Sequence, residues 1–382
     1  MNHENQKAIN NGIILSVNPG TTTTRCAMHE SKDGLITFVC EESIEHPDSE
    51  IGKFNDISEQ LDYRFKLVQE FVDKNPQHSN RIVACVGRGG MLTPVPSGVI
   101  KVNPEFVQFS LHTPVYKHAS NLGGPLAHKL SKLFEVDAYV ADPVSVDEFS
   151  TIARISGSTE FKRFSFVHAL NTRACVRKLA HELDKSFDEL SVVVAHLGAG
   201  FSISAVHKGR IIDNSNRMEC SPFTPERVGG LPPLPLIEAC FSGKYTKEEL
   251  MRKLYGQGGV YGYLGTRDVR AVESMIEEGN EKASLVYEAM LYQIGKAIGA
   301  MASTMDFNID GIILTGGMAN SNRLVDYMKQ KLHRIAPLLI YAGSNENEAL
   351  AESVSQVLAC EKEYMTWPVN IVPDELYEKF FR

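Results

Sequence analysis

The chain has 382 residues, more than one hydrophobic core usually organises, so two domains are expected. With 39 basic against 47 acidic side chains it carries a formal charge of −8, which excludes the broad basic field that nucleic acids and acidic membranes select. Hydrophobic residues make up 43% and no tract is biased, an ordinary globular composition. The seven cysteines, at 26, 40, 85, 175, 220, 240 and 360, are scattered and never spaced C-x-x-C. That usage reads as a reducing cytoplasm, without a disulfide framework or zinc site. The opening "MNHENQKAIN" lacks a basic n-region and the apolar run after it spans only Ile13–Val17. No signal peptide is expected, and no window approaches the ~20 apolar residues of a membrane span.

In chain order, "IILSVNPGTTTTRCAMHE" (13–30) reads as a β-hairpin bent at Asn18–Thr21: β-branched residues favour extended chain and Pro19-Gly20 a tight turn. A second turn at Lys32-Asp33-Gly34 leads to a strand over Leu35–Val39. Helices are predicted over Leu61–Asp73 and Leu122–Phe134, with buried strands in "RIVACVGRGG" (81–90) and "AYVADP" (138–143). The segment "STIARISGST" interrupts the pattern and places the domain boundary near 150–160, before a helix over Phe166–Leu183. Next, "VVVAHLGAGFSISAVHKGRIIDNS" (192–215) repeats the plan of the opening: strand, Gly-rich turn at 198–200, strand, Lys-Gly turn, strand. Single hairpins are common, but two such meanders in the same order, each opening a half-chain, point to a duplicated α/β domain. A helix over Ser284–Phe307, with Gly295, Gly299, Ala300 and Ala302, is expected to pack closely on a neighbour. "GIILTGG" (311–317) is a buried strand ending in Gly-Gly, with a helix in "MANSNRLVDYMKQKLH". The domains expected are 1–155 and 156–360, with the tail 361–382 crossing back onto the first.

Phosphate binding needs several N–H donors at short range. Glycine turns supply them because no Cβ blocks the approach, and hydroxyls add more. Gly20 with Thr21–Thr24 is one such cradle, Gly198 and Gly200 with Ser202 a second, and Gly316-Gly317 a third close-approach point suited to a sugar and base. No G-K-[ST] occurs, and "GAGFSI" has only two of the three Rossmann glycines. In a continuous strand Thr21 and Thr23 would share one face and Thr22 and Thr24 the other, so one pair is expected to serve phosphate.

This set of turns resembles the superfamily of actin, sugar kinases and heat-shock ATPases. The resemblance implies an α/β fold of two duplicated actin-like ATPase (ribonuclease H-like) domains with the nucleotide cleft between them. Within it, "NPGTTTTR", "HLGAG" (196–200), "FTPER" (223–227) and "LTGGMANS" (314–321) are similar to the acetokinase family, where Asn stands in place of the sugar kinases' opening Asp. Four threonines followed by Arg25, with "HASNLGGPLAH" (118–128), "ADPVSVDEF" (141–149) and "GLPPLP" (230–235), look like its butyrate branch. The activity implied is reversible transfer of the ATP γ-phosphate to butyrate, or to a branched or other short-chain acid, in the cytoplasm, with ATP/ADP and Mg2+ and a homodimer or larger assembly.

A carboxylate acceptor is ionised at neutral pH and needs no general base; the difficulty is bringing two anions together, which calls for cations and hydrogen-bond donors. By resemblance Arg88, in "GRGG", meets the carboxylate and the transferring phosphoryl group, and Arg227 is the second active-site arginine; the competing reading of either is a surface ion pair. His168, in "FSFVHALN", would bond phosphoryl oxygens, although a lone histidine among aromatics is often a core residue. Asp142 matches the catalytic aspartate and shares the metal with Glu348, while Asn345-x-x-Glu348 also reads as a capping box. Asn18 would sit beside the γ-phosphate. Thr21, Thr23, Arg25, His196, Gly198, Gly200, Asp268, Gly316 and Gly317 would contact the nucleotide. A heat-shock- or actin-like ATPase without an acyl acceptor is the contrasting possibility, and the two arginines argue against it.

Overall fold

The structure is a computed structural model and describes residues 11–215 and 221–371. Its strands are β1 (Gly12–Pro19), β2 (Thr23–Lys32), β3 (Leu35–Glu45), β4 (Ile82–Arg88), β5 (Val99–Lys101), β6 (Asp137–Ala141), β7 (Ser191–Leu197), β8 (Phe201–His207), β9 (Arg210–Asn214), β10 (Gly311–Gly316), β11 (Leu338–Ala342) and β12 (Tyr364–Thr366). They form two sheets, ordered β12-β5-β6-β4-β1-β2-β3 and β11-β10-β7-β8-β9. Among the described residues, one unit comprises 11–147, 169–171 and 345–371, and the other 148–168, 172–215 and 221–344.

The duplication is visible in strand order. In the first unit β1, β2 and β3 form an antiparallel meander, and β1, β4 and β6 run parallel. In the second, β7, β8 and β9 form the meander, and β7, β10 and β11 run parallel. The run β3-β2-β1-β4-β6 therefore matches β9-β8-β7-β10-β11 in order and direction, the ribonuclease H-like plan expected from the sequence. A strand flanked on both sides and covered on both faces is mostly apolar, and β1 and β7 are buried along their whole length. The first unit adds β5, antiparallel to β6, and β12, parallel to β5. Beyond β12, Trp367 packs on Phe106 and Phe109, and Asn103 Nδ2 donates to its carbonyl at 2.7 Å. The remainder of the tail, 372–382, lies outside the described residues.

Two expectations are revised. The helix Glu346–Leu358, assigned from sequence to the second domain, groups with the first unit. It packs on β1, β2 and β3, burying Ala349, Leu350 and Val354. An apolar stripe says that a helix is covered, not which sheet covers it. The long helix runs over Glu281–Ser303, but its glycines do not mark a close approach. A Cβ on Gly299 would meet nothing within 4 Å, and one on Gly295 only Met328 Sδ at 4.0 Å. Its buried face is Met290, Leu291, Ile294 and Ile298.

The β1–β2 hairpin is held from behind by the helix Leu61–Asp73. Arg64 is 0% exposed and donates through Nη1 to the carbonyls of Gly20 (2.9 Å) and Thr23 (3.3 Å) and to Thr24 Oγ1 (3.0 Å). Its Nη2 reaches the Thr21 carbonyl at 3.2 Å, and Gln60 Oε1 accepts from both Nε and Nη2. Thr24 Oγ1 also lies 2.8 Å from His46 Nε2. The buried imidazole is neutral at pH 7. Burial, and secondarily the Arg64 charge, push its pKa down from 6.5 to about 4.

The sign of the pH effect follows. The unfolded chain takes up a proton here near pH 6.5 and the folded chain not until about 4, so stability falls as pH drops through that window. His46 is expected to cost about 2 kcal/mol between pH 7 and 4.5. Urea unfolding of wild type and His46→Gln across that range measures it, and two curves with the same pH slope would remove His46 as the cause.

Candidate functional site

The parallel register pairs Val17 with Gly87 and Arg88 with Ala141, which brings Asn18, Arg88 and Asp142 to the carboxyl ends of three neighbouring strands. Ligands bind α/β sheets at that end. There Arg88 Nη1 donates to Glu346 Oε2 (3.0 Å) and to Asn18 Oδ1 (3.3 Å). Asn18 Nδ2 donates to the same Glu346 oxygen at 2.6 Å. Asn18 thus acts as donor and acceptor at once; an aspartate in its place would set one carboxylate against another. The Arg88 and Glu346 side chains are only 18% and 10% exposed, so removing either partner strands a largely desolvated charge.

The resemblance points to Glu348 on this helix, whereas Glu346 is the carboxylate that meets Arg88 and Asn18. Glu348 points outward and its Oε2 accepts from Asn345 Nδ2 at 2.9 Å, a side-chain contact and not the expected capping box. The helical period held the clue. Glu348 lies on one stripe with Glu352 and Gln356, the polar face, whereas Glu346 shares the covered face with Ala349, Leu350 and Ser353.

The glycines of "GRGG" leave no open space beside Arg88. A Cβ on Gly87 would lie 2.0 Å from the Gly123 carbonyl oxygen, one on Gly89 2.3 Å from Pro143 Cβ, and one on Gly90 2.3 Å from Asn121 Oδ1. They let the neighbouring backbone close in around Arg88 and fix where it points. Asp142 is buried and left-handed, with φ 38°, an uncommon state for a residue with a side chain. Two bonds hold it there: Oδ1 accepts from the Gly98 N–H (2.8 Å), and its own N–H donates to the Gly98 carbonyl (2.9 Å).

The threonine row is not one strand. β2 begins at Thr23, so Thr21 and Thr22 lie in the turn and are exposed, and alternation applies only to half-buried Thr23 and buried Thr24. Thr24 is committed to Arg64 and His46. Arg25 is exposed on β2, opposite Asn18 in register.

In the second unit the turn Gly198–Gly200 joins β7 to β8. His196, near the end of β7, stacks on His168 with ring centroids 3.8 Å apart and planes 15° apart. His168 Nδ1 lies 2.8 Å from Ser202 Oγ, which also accepts from the His168 N–H at 3.3 Å. His168 is thus buried yet gathered with His196 and Ser202 beside the turn. Arg227 follows a tight turn in which Thr224 Oγ1 accepts the N–H groups of Glu226 (3.2 Å) and Arg227 (3.0 Å). Its guanidinium lies over Gly200, where a Cβ would come within 2.8 Å of Nη1; burial lowers its pKa.

A cavity of about 630 Å3 opens beside the same turn, lined by Gly198, Ala199, Asp268, Glu273, Gly317 and Ser321 among others. Gly316 has φ +86°, and a Cβ there would lie 2.5 Å from the Leu197 carbonyl oxygen; only glycine lets β10 end against β7. A Cβ on Gly317 would meet open space. Asp268 caps the helix Val269–Glu277, accepting from the Arg270 backbone, and the Arg270 guanidinium holds its carboxyl below the usual range.

The fold has counterparts among known proteins. Over 91% of this chain and 99% of its own, the acetate kinase of Porphyromonas gingivalis superposes with a TM-score of 0.70 at 17% identity. A propionate kinase from Francisella tularensis subsp. tularensis does so over 90% and 98% with 0.69 at 17% identity. The acetate kinase of Entamoeba histolytica covers 89% and 98% with 0.68 at 15% identity. At these identities the likeness is one of fold. The model of the acetokinase family matches residues 158–374, more than half of the chain. The chain belongs to the acetokinase family of ATP-using carboxylate kinases.

Proposed function

We propose that this carboxylate kinase transfers the ATP γ-phosphate to butyrate, giving butyryl phosphate and ADP, and runs in reverse, in the cytoplasm. The observation that carries the butyrate reading lies beside Arg88. Met91, Leu92 and Val95 are buried apolar residues in the segment that follows it. Asn121 Oδ1 accepts the Met91 N–H at 2.7 Å, Ser145 Oγ accepts the Leu92 N–H at 2.8 Å, and the Val95 N–H donates to the Ser145 carbonyl. Asn121 and Ser145 belong to "HASNLGGPLAH" and "ADPVSVDEF", two segments that resemble the butyrate branch. They brace the stretch we assign to the acyl wall.

Roles follow from the chemistry. Arg88 already meets a carboxylate oxygen and presents a planar fork suited to the acid. Its partner Asn18 adds an amide donor beside it. Arg227 and His168 supply positive charge and a hydrogen bond to the phosphoryl oxygens. The Gly198–Gly200 turn takes phosphate, and the adjoining cavity is of a size for the nucleoside, with Asp268 accepting from ribose hydroxyls. Among the described residues no cluster of three or more His, Cys, Asp or Glu forms a metal cage. The buried carboxylates of Asp142 and Glu346 fit Mg2+, which binds through one or two carboxylates plus phosphate oxygens and water. Glu346 and Asp142 are the carboxylates we assign to it, and when bound it would neutralise charge on the β- and γ-phosphates.

The oligomer implied by the resemblance has a candidate surface. The helix Pro233–Phe241 has no buried residue, and Leu234, Ile237 and Phe241 share one face at 72%, 52% and 86% exposure. We assign this face to a second copy of the chain. Sedimentation of Leu234→Asp/Phe241→Asp should give a smaller species than wild type; an unchanged mass would clear the helix of that role.

Arg88→Ala should lower kcat by at least about 100-fold with a modest change in the KM for ATP, and Lys should restore only part, being a point charge without the fork. Near-normal turnover would end the assignment.

Acyl selectivity has a physical ceiling. One methylene in an apolar pocket is worth about 1–3 kcal/mol, roughly 10- to 200-fold in kcat/KM. Butyrate should clearly outperform acetate, and isobutyrate, valerate and isovalerate should remain measurable. Hydroxylamine trapping of the acyl phosphate across acids of two to six carbons decides it. Acetate proving best would move the chain to the acetate branch, and a sugar as sole acceptor would overturn the mechanism.

A further inference from the structure

We infer that Arg64, outside the reacting groups, is a positioning residue for the nucleotide's phosphate tail: a buried cation behind the β1–β2 turn that aims the turn's N–H groups and adds positive potential where the anion sits. The inference rests on reading Gly20–Thr24 as a phosphate cradle.

Arg64 is a fully buried side chain whose hydrogen-bond partners are all neutral: the carbonyls of Gly20, Thr21 and Thr23, Thr24 Oγ1, and Gln60 Oε1. Among the described residues it forms no ion pair. A buried charge is ordinarily paired with an opposite one, because desolvation is costly. Burial lowers its pKa only to about 10, so it remains a cation at neutral pH. The charge is left uncompensated inside the fold, directly behind a turn whose outer residues, Thr21 and Thr22, are exposed.

The geometry gives that charge a direction. In a planar trans peptide the carbonyl and the next N–H point opposite ways. Carbonyls 20 and 21 are drawn inward to Arg64, so the N–H groups of Thr21 and Thr22 turn outward. Consecutive outward N–H groups over a buried cation make an anion-binding concavity. Gln60 fixes the guanidinium plane by accepting from two of its nitrogens, at 3.1 and 2.9 Å. A bound phosphate tail would supply the missing counter-charge.

The discriminating variant is Gln60→Glu. It is nearly isosteric, keeps both acceptor contacts and cancels the buried charge. A merely structural Arg64 would gain a partner, and the protein would be as stable or more so with unchanged nucleotide preference. On the inference stated here, the ratio of ATP to AMP affinity falls about tenfold while adenosine binding is unchanged. Arg64→Lys keeps the charge without the fork and should retain more of the preference than Arg64→Met. Calorimetric titration with adenosine, AMP, ADP and ATP, beside thermal unfolding, reads all of this. A wild type that prefers ATP, with the preference intact in Gln60→Glu and Arg64→Met, overturns the inference alone. If wild type binds ATP no better than AMP, the phosphate-cradle reading falls, and the inference with it.

Discussion

One carboxylate oxygen ties the first unit together. Glu346 Oε2 accepts from Arg88 and from Asn18, so segments 258 and 328 residues away in sequence converge on a single atom. Glu346 is also the first residue of its helix, where the backbone N–H groups favour a negative side chain. That carboxylate is stabilised by a helix end, an amide and a guanidinium. In return it sets the orientation of Arg88 and Asn18 at the strand ends. The last helix groups with the first unit, and this contact, together with the apolar stripe behind it, specifies its seat.

Two arginines of this unit, Arg64 and Arg88, show how differently one side chain is used. Arg88 stands at a strand end, partly open, with a carboxylate as its partner. Arg64 is closed off and faces only neutral acceptors. An ion pair satisfies its own charge and is largely spent locally. An unpaired cation held by carbonyl dipoles projects its field through the turn those carbonyls belong to. In a chain of net charge −8, any phosphate has to be held by fields of this local kind.

Much of the architecture was legible because it rests on strong local signals. The turns at Pro19-Gly20, Lys32-Asp33-Gly34 and Gly198–Gly200 punctuate β-branched runs, and the two matching meanders announce the duplication that β3-β2-β1-β4-β6 and β9-β8-β7-β10-β11 display. The helix Leu61–Asp73 was placed to the residue by its apolar period. Short elements held by tertiary pairing, such as β5 and β12, carry no such signal over three residues each. The segment 233–277 escaped assignment because its helices are short and several turn little inward.

The site was less legible than the fold, for a reason the threonine row makes plain. Residue type shows what a side chain can do, but only packing shows what it has already been given to do. Thr24 has the same hydroxyl as Thr23, yet it is already engaged by Arg64 and His46. Glu348 has the same carboxylate as Glu346, yet two residues of helical rotation send it to solvent. The glycines flanking Arg88 look like room for a ligand until the backbone at Gly123 and the Pro143 ring are seen to occupy it. In each case the chemistry was visible and its direction was not, because direction is fixed by the neighbours across the sheet or around the helix.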